Sequence, residues 1–167
     1  MGQTSIYVFT LNDRPGFVQE SLARLSEAGV ISSEAHAGLY GPGTAPWASR
    51  AFDHLDIHQS RLPYIIPQDP AIEPTCPACG ADMSEAFYDT VNEIEDEGQE
   101  VDWRGVKVTC SRCRQEFAIT ALKDRVGVFC ACEYLYFADV EVDDLRAFET
   151  QLQKILSHAE VKSYWYT

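Results

Sequence analysis

Two Cys-x-x-Cys turns, Cys76-Pro77-Ala78-Cys79 and Cys110-Ser111-Arg112-Cys113, constrain this chain more than anything else in it. A turn of this kind lets two thiolates converge on one point while backbone N–H groups face the sulfurs. A second turn completes a tetrahedral four-sulfur set, the arrangement that suits Zn²⁺. With all four positions taken by sulfur, none is left for water or substrate, so the metal is expected to be structural. The ligand set alone does not separate zinc from iron. The competing reading is a redox dithiol, which sits at a helix start just after a strand. Here the first turn follows a proline-bearing loop and the second ends a strand-like segment, which favours the metal.

The Cys76-Pro-Ala-Cys79-Gly80 turn is similar to the knuckle of rubredoxins, and the pair of turns resembles the zinc-ribbon class over residues 74–122. The resemblance implies a small hairpin module built around Cys76, Cys79, Cys110 and Cys113. It implies no particular reaction and extends to no other part of the chain.

The remaining residues are enough for one good core beside such a module. No apolar run approaches membrane-spanning length. The amino-terminal residues go straight into a strand-like segment without a basic region or an apolar stretch, so no secretory signal is read. Six cysteines in that setting point to a cytoplasmic protein using thiols as ligands rather than disulfides. The net charge is −13, and nine carboxylates lie between Asp82 and Asp102 with no Lys or Arg among them. A polyanion would be repelled by that field, because nucleic-acid affinity rests on phosphate neutralisation. The only local basic group, Arg104, Lys107, Arg112 and Arg114, would have to gather into one patch to reverse this conclusion. The acidic stretch reads either as a solvated face or as a docking surface for a basic partner.

Along the chain, Ser5–Leu11 is β-branched and aromatic on both faces and predicts a buried central strand. Asn12–Gly16 predicts a helix start with an Asn or Asp cap, and Val18, Leu22 and Leu25 give that helix one apolar stripe ending near Gly29. The Gly38–Gly43 loop lacks the Lys-Ser/Thr of a phosphate cradle and is rejected as one. Residues 47–58 predict a short helix with Ala48, Phe52 and Leu55 on one side. Leu62–Gln68 predicts a strand that Pro63 and Pro67 confine to a sheet edge. Between the cysteine turns, Phe87, Val91 and Ile94 predict an acidic helix from Ser84, which could cap it, to Asp96, with Gly98 as its stop. Residues 106–110 and 117–122 predict a hairpin. Val126–Val140 is a long extended segment, Leu145, Phe148, Leu152 and Ile155 mark another helix, and 161–166 a last strand.

This order predicts an α+β fold: a ferredoxin-like β-α-β-β-α-β sandwich formed by residues 1–73 and 123–167, with a zinc ribbon of residues 74–122 inserted. The alternative is a less regular α+β domain. Two further clusters could carry chemistry. Cys130 and Cys132 share one strand face and read as small buried residues, with a reactive pair or a half-site as the alternative. His54 and His58, on a helix, would project together, with Asp53 or Asp56 as a third ligand; the glutamate of the His-Glu-x-x-His pattern is replaced by Leu55. Tyr134, Tyr136 and Tyr164–Tyr166 predict an aromatic-rich sheet, read as packing and apolar docking. The sequence therefore points to a non-catalytic, acidic, zinc-stabilised protein-binding module of adaptor or toxin-neutralising type. Its partner would be another protein, a basic one if the acidic face is the docking surface, and neither nucleic acid nor membrane. The alternative is a metal-dependent enzyme with a second site around His54 and His58.

Overall fold

The computed structural model describes residues 3–66, 73–124 and 127–166, and it is a mixed α/β structure. Strand β1 spans Gln3–Phe9, β2 His54–Ile66, β5 Phe129–Ala138 and β6 Glu160–Tyr166; these form one sheet in the order β2-β5-β1-β6. Strands β3 (Lys107–Thr109) and β4 (Glu116–Ala118) form a separate antiparallel pair. Among the described residues there are three α-helices: α1 (Phe17–Glu27), α2 (Ser84–Asp96) and α3 (Leu145–Ile155). The chain divides into two compact units, Met1–Gln59 with Glu133–Thr167, and Ser60–Cys132.

In the first unit β1 lies between β5 and β6, antiparallel to both, with Ile6 opposite Phe137 and Ser163, and Val8 opposite Leu135 and Val161. Opposed residues share a face, so Ile6, Val8, Leu135 and Phe137 point the same way. They join Val18, Leu22 and Leu25 of α1 and Phe148 and Leu152 of α3 in one apolar cluster. On the other face Ser5, Tyr7 and Phe9 are also buried. That is why β1 is apolar on both sides.

The start of α1 differs from expectation. Neither Asn12 nor Asp13 caps it; the capping position is Gly16, at φ 78°, with no side-chain bond of its own. The carboxylate of Glu133, on β5, accepts from the backbone N–H of Gly16 at 3.2 Å and of Val18 at 2.8 Å. A negative group at the positive end of the helix dipole satisfies orphan donors that local residues leave open. Helix α3 follows the local rule: the Asp144 side chain accepts from Ala147 N–H at 3.0 Å.

Residues 47–58 are not a helix. Ala48, Ala51, Phe52 and Leu55 are buried as the spacing requires, but tight turns carry Ala48 and Ala51, and His54 already begins β2. Leu55 and Tyr40 exchange both backbone hydrogen bonds. From His54 the period is two: Leu55 and Ile57 turn to the core while His54, Asp56 and His58 turn away. The glycine loop serves this same packing. Residues 29–32 pair with 41–45 through backbone bonds, and a Cβ on Gly43 would collide with the Gly29 carbonyl. Strand β2 is an edge strand and contains Pro63, as a proline in a sheet requires; Pro67 and Gln68, and the first residue of the 126–140 segment, lie outside the described residues. No helix among the described residues is long and apolar enough to cross a membrane.

Candidate metal centre

The second unit carries the four cysteines, and its local hydrogen bonds explain how they meet. The two turns share one backbone design. Cys76 O accepts from Gly80 N–H at 2.9 Å and Cys110 O from Arg114 N–H at 2.8 Å. Cys76 N–H donates to Ala81 O and Cys110 N–H to Gln115 O. Each turn therefore needs a left-handed residue four places after its first cysteine, and Gly80 (φ 68°) and Arg114 (φ 61°) supply it. Glycine does so without strain; an arginine does so at a cost of about 1 kcal/mol. The first half of this pattern is legible as Cys-x-x-Cys-Gly. The second is not, because nothing in the sequence marks Arg114 as left-handed.

The first turn is held at the ends of its segment. Thr75 and Lys123 exchange backbone bonds at 2.6 and 3.0 Å, and the Thr75 hydroxyl also donates to Lys123 O at 2.9 Å. The second turn lies between β3 and β4, with Val108 opposite Phe117. Helix α2 packs against β3, with Phe87 and Val91 buried. Its capping position is Met83, with no side-chain bond of its own; Asp82 before it accepts from Ser84 N–H at 2.9 Å and from the Ser84 hydroxyl at 2.6 Å. Ser84 itself is the first helical residue and not the cap. These bonds from Ser84 hold the Asp82 carboxyl below its ordinary range.

The sulfurs of Cys76, Cys79, Cys110 and Cys113 all lie within 4.8 Å of one another. Cys76 Sγ is 3.7 Å from Cys113 Sγ, and Cys79 Sγ is 3.7 Å from Cys110 Sγ. A tetrahedral ion bound to sulfur at about 2.3 Å sets neighbouring sulfurs about 3.8 Å apart. None of the four is in a disulfide; Cys76 and Cys110 are buried and the other two half-buried. The cluster is poised electrostatically. The Cys110 thiol is drawn down to about 6, chiefly by the N–H of Cys113. Cys113 goes the other way, to about 11: the Gln115 N–H favours its thiolate, but burial and the neighbouring sulfurs together outweigh it. Sulfurs this close cannot all ionise without a cation among them. The residues thus fit a metal ion in number, geometry and chemistry, and such an ion would hold together the segments that bring the two turns in. Among the described residues this is the one set of three or more candidate ligands.

His54 and His58 do not enter a ligand set. On β2 they still share a face, but the Nδ1 of His54 lies 2.7 Å from the carboxylate of its neighbour Asp53, and the His58 ring stacks on Tyr134. Cys130 and Cys132 are only half-buried, because the strand turns Ala131, between them, into the interior instead. Of the basic group, Arg104 pairs with Asp102 and Lys107 with Glu116, each at 2.9 Å. Tyr164 joins Tyr134 and Tyr136 on one sheet face, whereas Trp165 points to the other and is 58 % exposed; the side chain of Tyr166 lies outside the described residues.

Helix α2 ends in an unusual way. Glu93, Glu95, Asp96 and Glu97 gather where the helix dipole is negative, and its last turn has no basic residue. Gly98, at φ 62°, closes the helix. Beside this end runs a groove of about 320 Å³ whose apolar lining includes Leu62, Tyr64, Ile94 and Trp103, with Glu95 and Glu100 along it. Compared with known proteins, the chain matches no family model, no curated protein and no solved structure.

Proposed function

We propose that the protein is a non-catalytic binding module whose four-cysteine unit, stabilised by one structural zinc ion, presents an acidic groove to a basic partner protein. The observation that carries the reading is the end of α2. Carboxylates at the negative end of a helix are unfavourable by themselves, and positive charge from outside would relieve them. The adjoining groove offers apolar walls for an anchoring side chain. An adaptor subunit or a neutraliser of a basic toxin enzyme would use such a face. Zinc is favoured because it is the usual occupant of a closed four-sulfur site. The strand order β2-β5-β1-β6, with α1 after β1 and α3 after β5, supports reading the rest as a ferredoxin-like sandwich carrying residues 74–122 as an insert. The competing enzyme reading needs a third ligand beside His54 and His58.

Two measurements test this. Elemental analysis should give one zinc per chain, unchanged by His54→Ala and His58→Ala; a second metal lost with the histidines would favour the enzyme. A short Lys/Arg-rich peptide with one leucine anchor should bind with an affinity that falls steeply with salt. Replacing Glu93, Glu95 and Glu97 with Lys should weaken it by about tenfold or more while zinc content stays the same. Unchanged affinity would overturn the docking face.

A further inference from the structure

A second cluster lies on the sheet face of the first unit and takes no part in the reading above. His58 and Asp56 alternate with core residues along β2, Tyr134 and Tyr136 do so along β5, and Tyr7 lies opposite Tyr136 on β1. Together with Ile57 they line a cavity of about 160 Å³. Its walls are aromatic. The His58 and Tyr134 rings stack with centroids 4.6 Å apart and planes 13° from parallel. The Tyr7 ring lies 5.7 Å from that of Tyr134 and 5.0 Å from that of Tyr136. The hydroxyl of Tyr136 is fixed 2.9 Å from the buried hydroxyl of Ser5. Every wall residue stands on a strand, so the cavity is held by the rigid part of the fold.

The charge of this box is simple. Burial holds the His58 imidazole below its ordinary value, against the pull of Asp56. Near neutral pH it is therefore a flat uncharged ring, and Asp56 is the only formal charge in the lining. Lys162, opposite Tyr7 on β6, is not part of the lining and lies 3.7 Å from Glu160. Tyrosine faces attract cations through the ring quadrupole, and a carboxylate adds a full negative charge. A small inorganic cation gains little here, because it is too strongly hydrated to trade water for ring faces. A cation with an apolar surface gains both contributions, and the volume admits a head group of only a few heavy atoms.

The geometry points to this cavity as a binding site for a compact alkylated ammonium group, carried by a free amine or by a methylated lysine side chain. The site stands on the first unit alone and does not depend on the acidic groove. The test follows the aromatic NMR signals of the whole protein during titration with choline, with its neutral carbon isostere, and with a short trimethyl-lysine peptide. Choline should produce saturable shifts of the Tyr134 and Tyr136 ring signals, and the isostere should bind about tenfold more weakly or not at all. Asp56→Asn, which keeps an acceptor for the Ile57 N–H that the carboxylate binds at 2.8 Å, and Tyr134→Ala should each weaken choline by about three- to tenfold. A peptide tighter than choline assigns the ammonium to a side chain; choline equal to or tighter than the peptide assigns it to a free amine. Equal binding of the isostere, no saturable shift, or affinity indifferent to Asp56→Asn would overturn the site.

Discussion

In the first unit α1, α3, β1 and β5 close on a single apolar cluster in which Ile6, Val8, Leu25, Leu55, Leu135, Phe137 and Leu152 have no exposed surface. In the second unit the buried set is thinner, the strands β3 and β4 are three residues each, and α2 buries only Phe87 and Val91. Short strands and an acidic helix remove less apolar surface from water, so less is available to offset the entropy of ordering them. Beside a smaller buried set that includes Ile65, Phe87, Trp103 and Ile119, the second unit has four converging sulfurs. If an ion occupies the cluster, one part of the chain rests chiefly on area and the other also on coordination, and the two should fail under different insults.

The widest separation between them should come from removing the metal. Cys110→Ser, or a strong chelator, is expected to abolish backbone amide protection across residues 73–124 and leave β1, β5 and β6 protected in hydrogen exchange. Structural zinc in small modules contributes on the order of 10 kcal/mol, more than the remaining contacts of this unit can replace. Phe137→Ala is the reciprocal experiment: it should cost the sheet about 3–5 kcal/mol in denaturant unfolding and leave one metal per chain. If both changes unfold both units together, the distinction between area and coordination is wrong. A smaller effect is expected at the start of α1. Glu133→Gln keeps an acceptor but removes the charge facing the helix dipole, and should lower the stability of the first unit by about 0.5–1 kcal/mol, with the difference shrinking in high salt. The smallest effect compares the two cysteine turns. Gly80→Ala has room for its methyl group and meets only the left-handed backbone, so it should cost about 1 kcal/mol, whereas Arg114→Gly should be neutral or stabilising by less than about 1 kcal/mol. A loss of metal affinity in Arg114→Gly as large as in Gly80→Ala would show that the turns are not equivalent.

These contrasts also explain what the sequence made legible. The four-cysteine cluster could be read because its geometry is written locally: two thiols per turn, at a fixed spacing, twice. Helices α1, α2 and α3 could be read because each repeats its apolar residues at helical intervals. Residues 47–58 misled for a physical reason. Ala48, Phe52 and Leu55 fall at helical spacing by coincidence of two turns followed by a strand, and the alternation His54-Leu-Asp-Ile-His58 was the truer signal. Glu133 could not be found at all, since it caps a helix more than a hundred positions earlier and only the sheet brings it there. The aromatic cavity was hidden in the same way: Tyr7, His58 and Tyr134 come from three strands, and no local pattern ties them together.

The place of β1 has a consequence for how this chain comes into being. It is made before its neighbours β5 and β6, with Ile6 matched to Phe137 and Ser163. During synthesis β1 and α1 leave the ribosome with their apolar faces unsheltered until β5 and β6 follow. The cysteine-bearing stretch between them is contiguous, and its four sulfurs can meet as soon as Cys113 emerges. Assembly in that order would run outward from the four-cysteine stretch, with β1 secured only after β5 and β6 are made. In a cell, the interval before β5 arrives is when a chaperone would have most to hold.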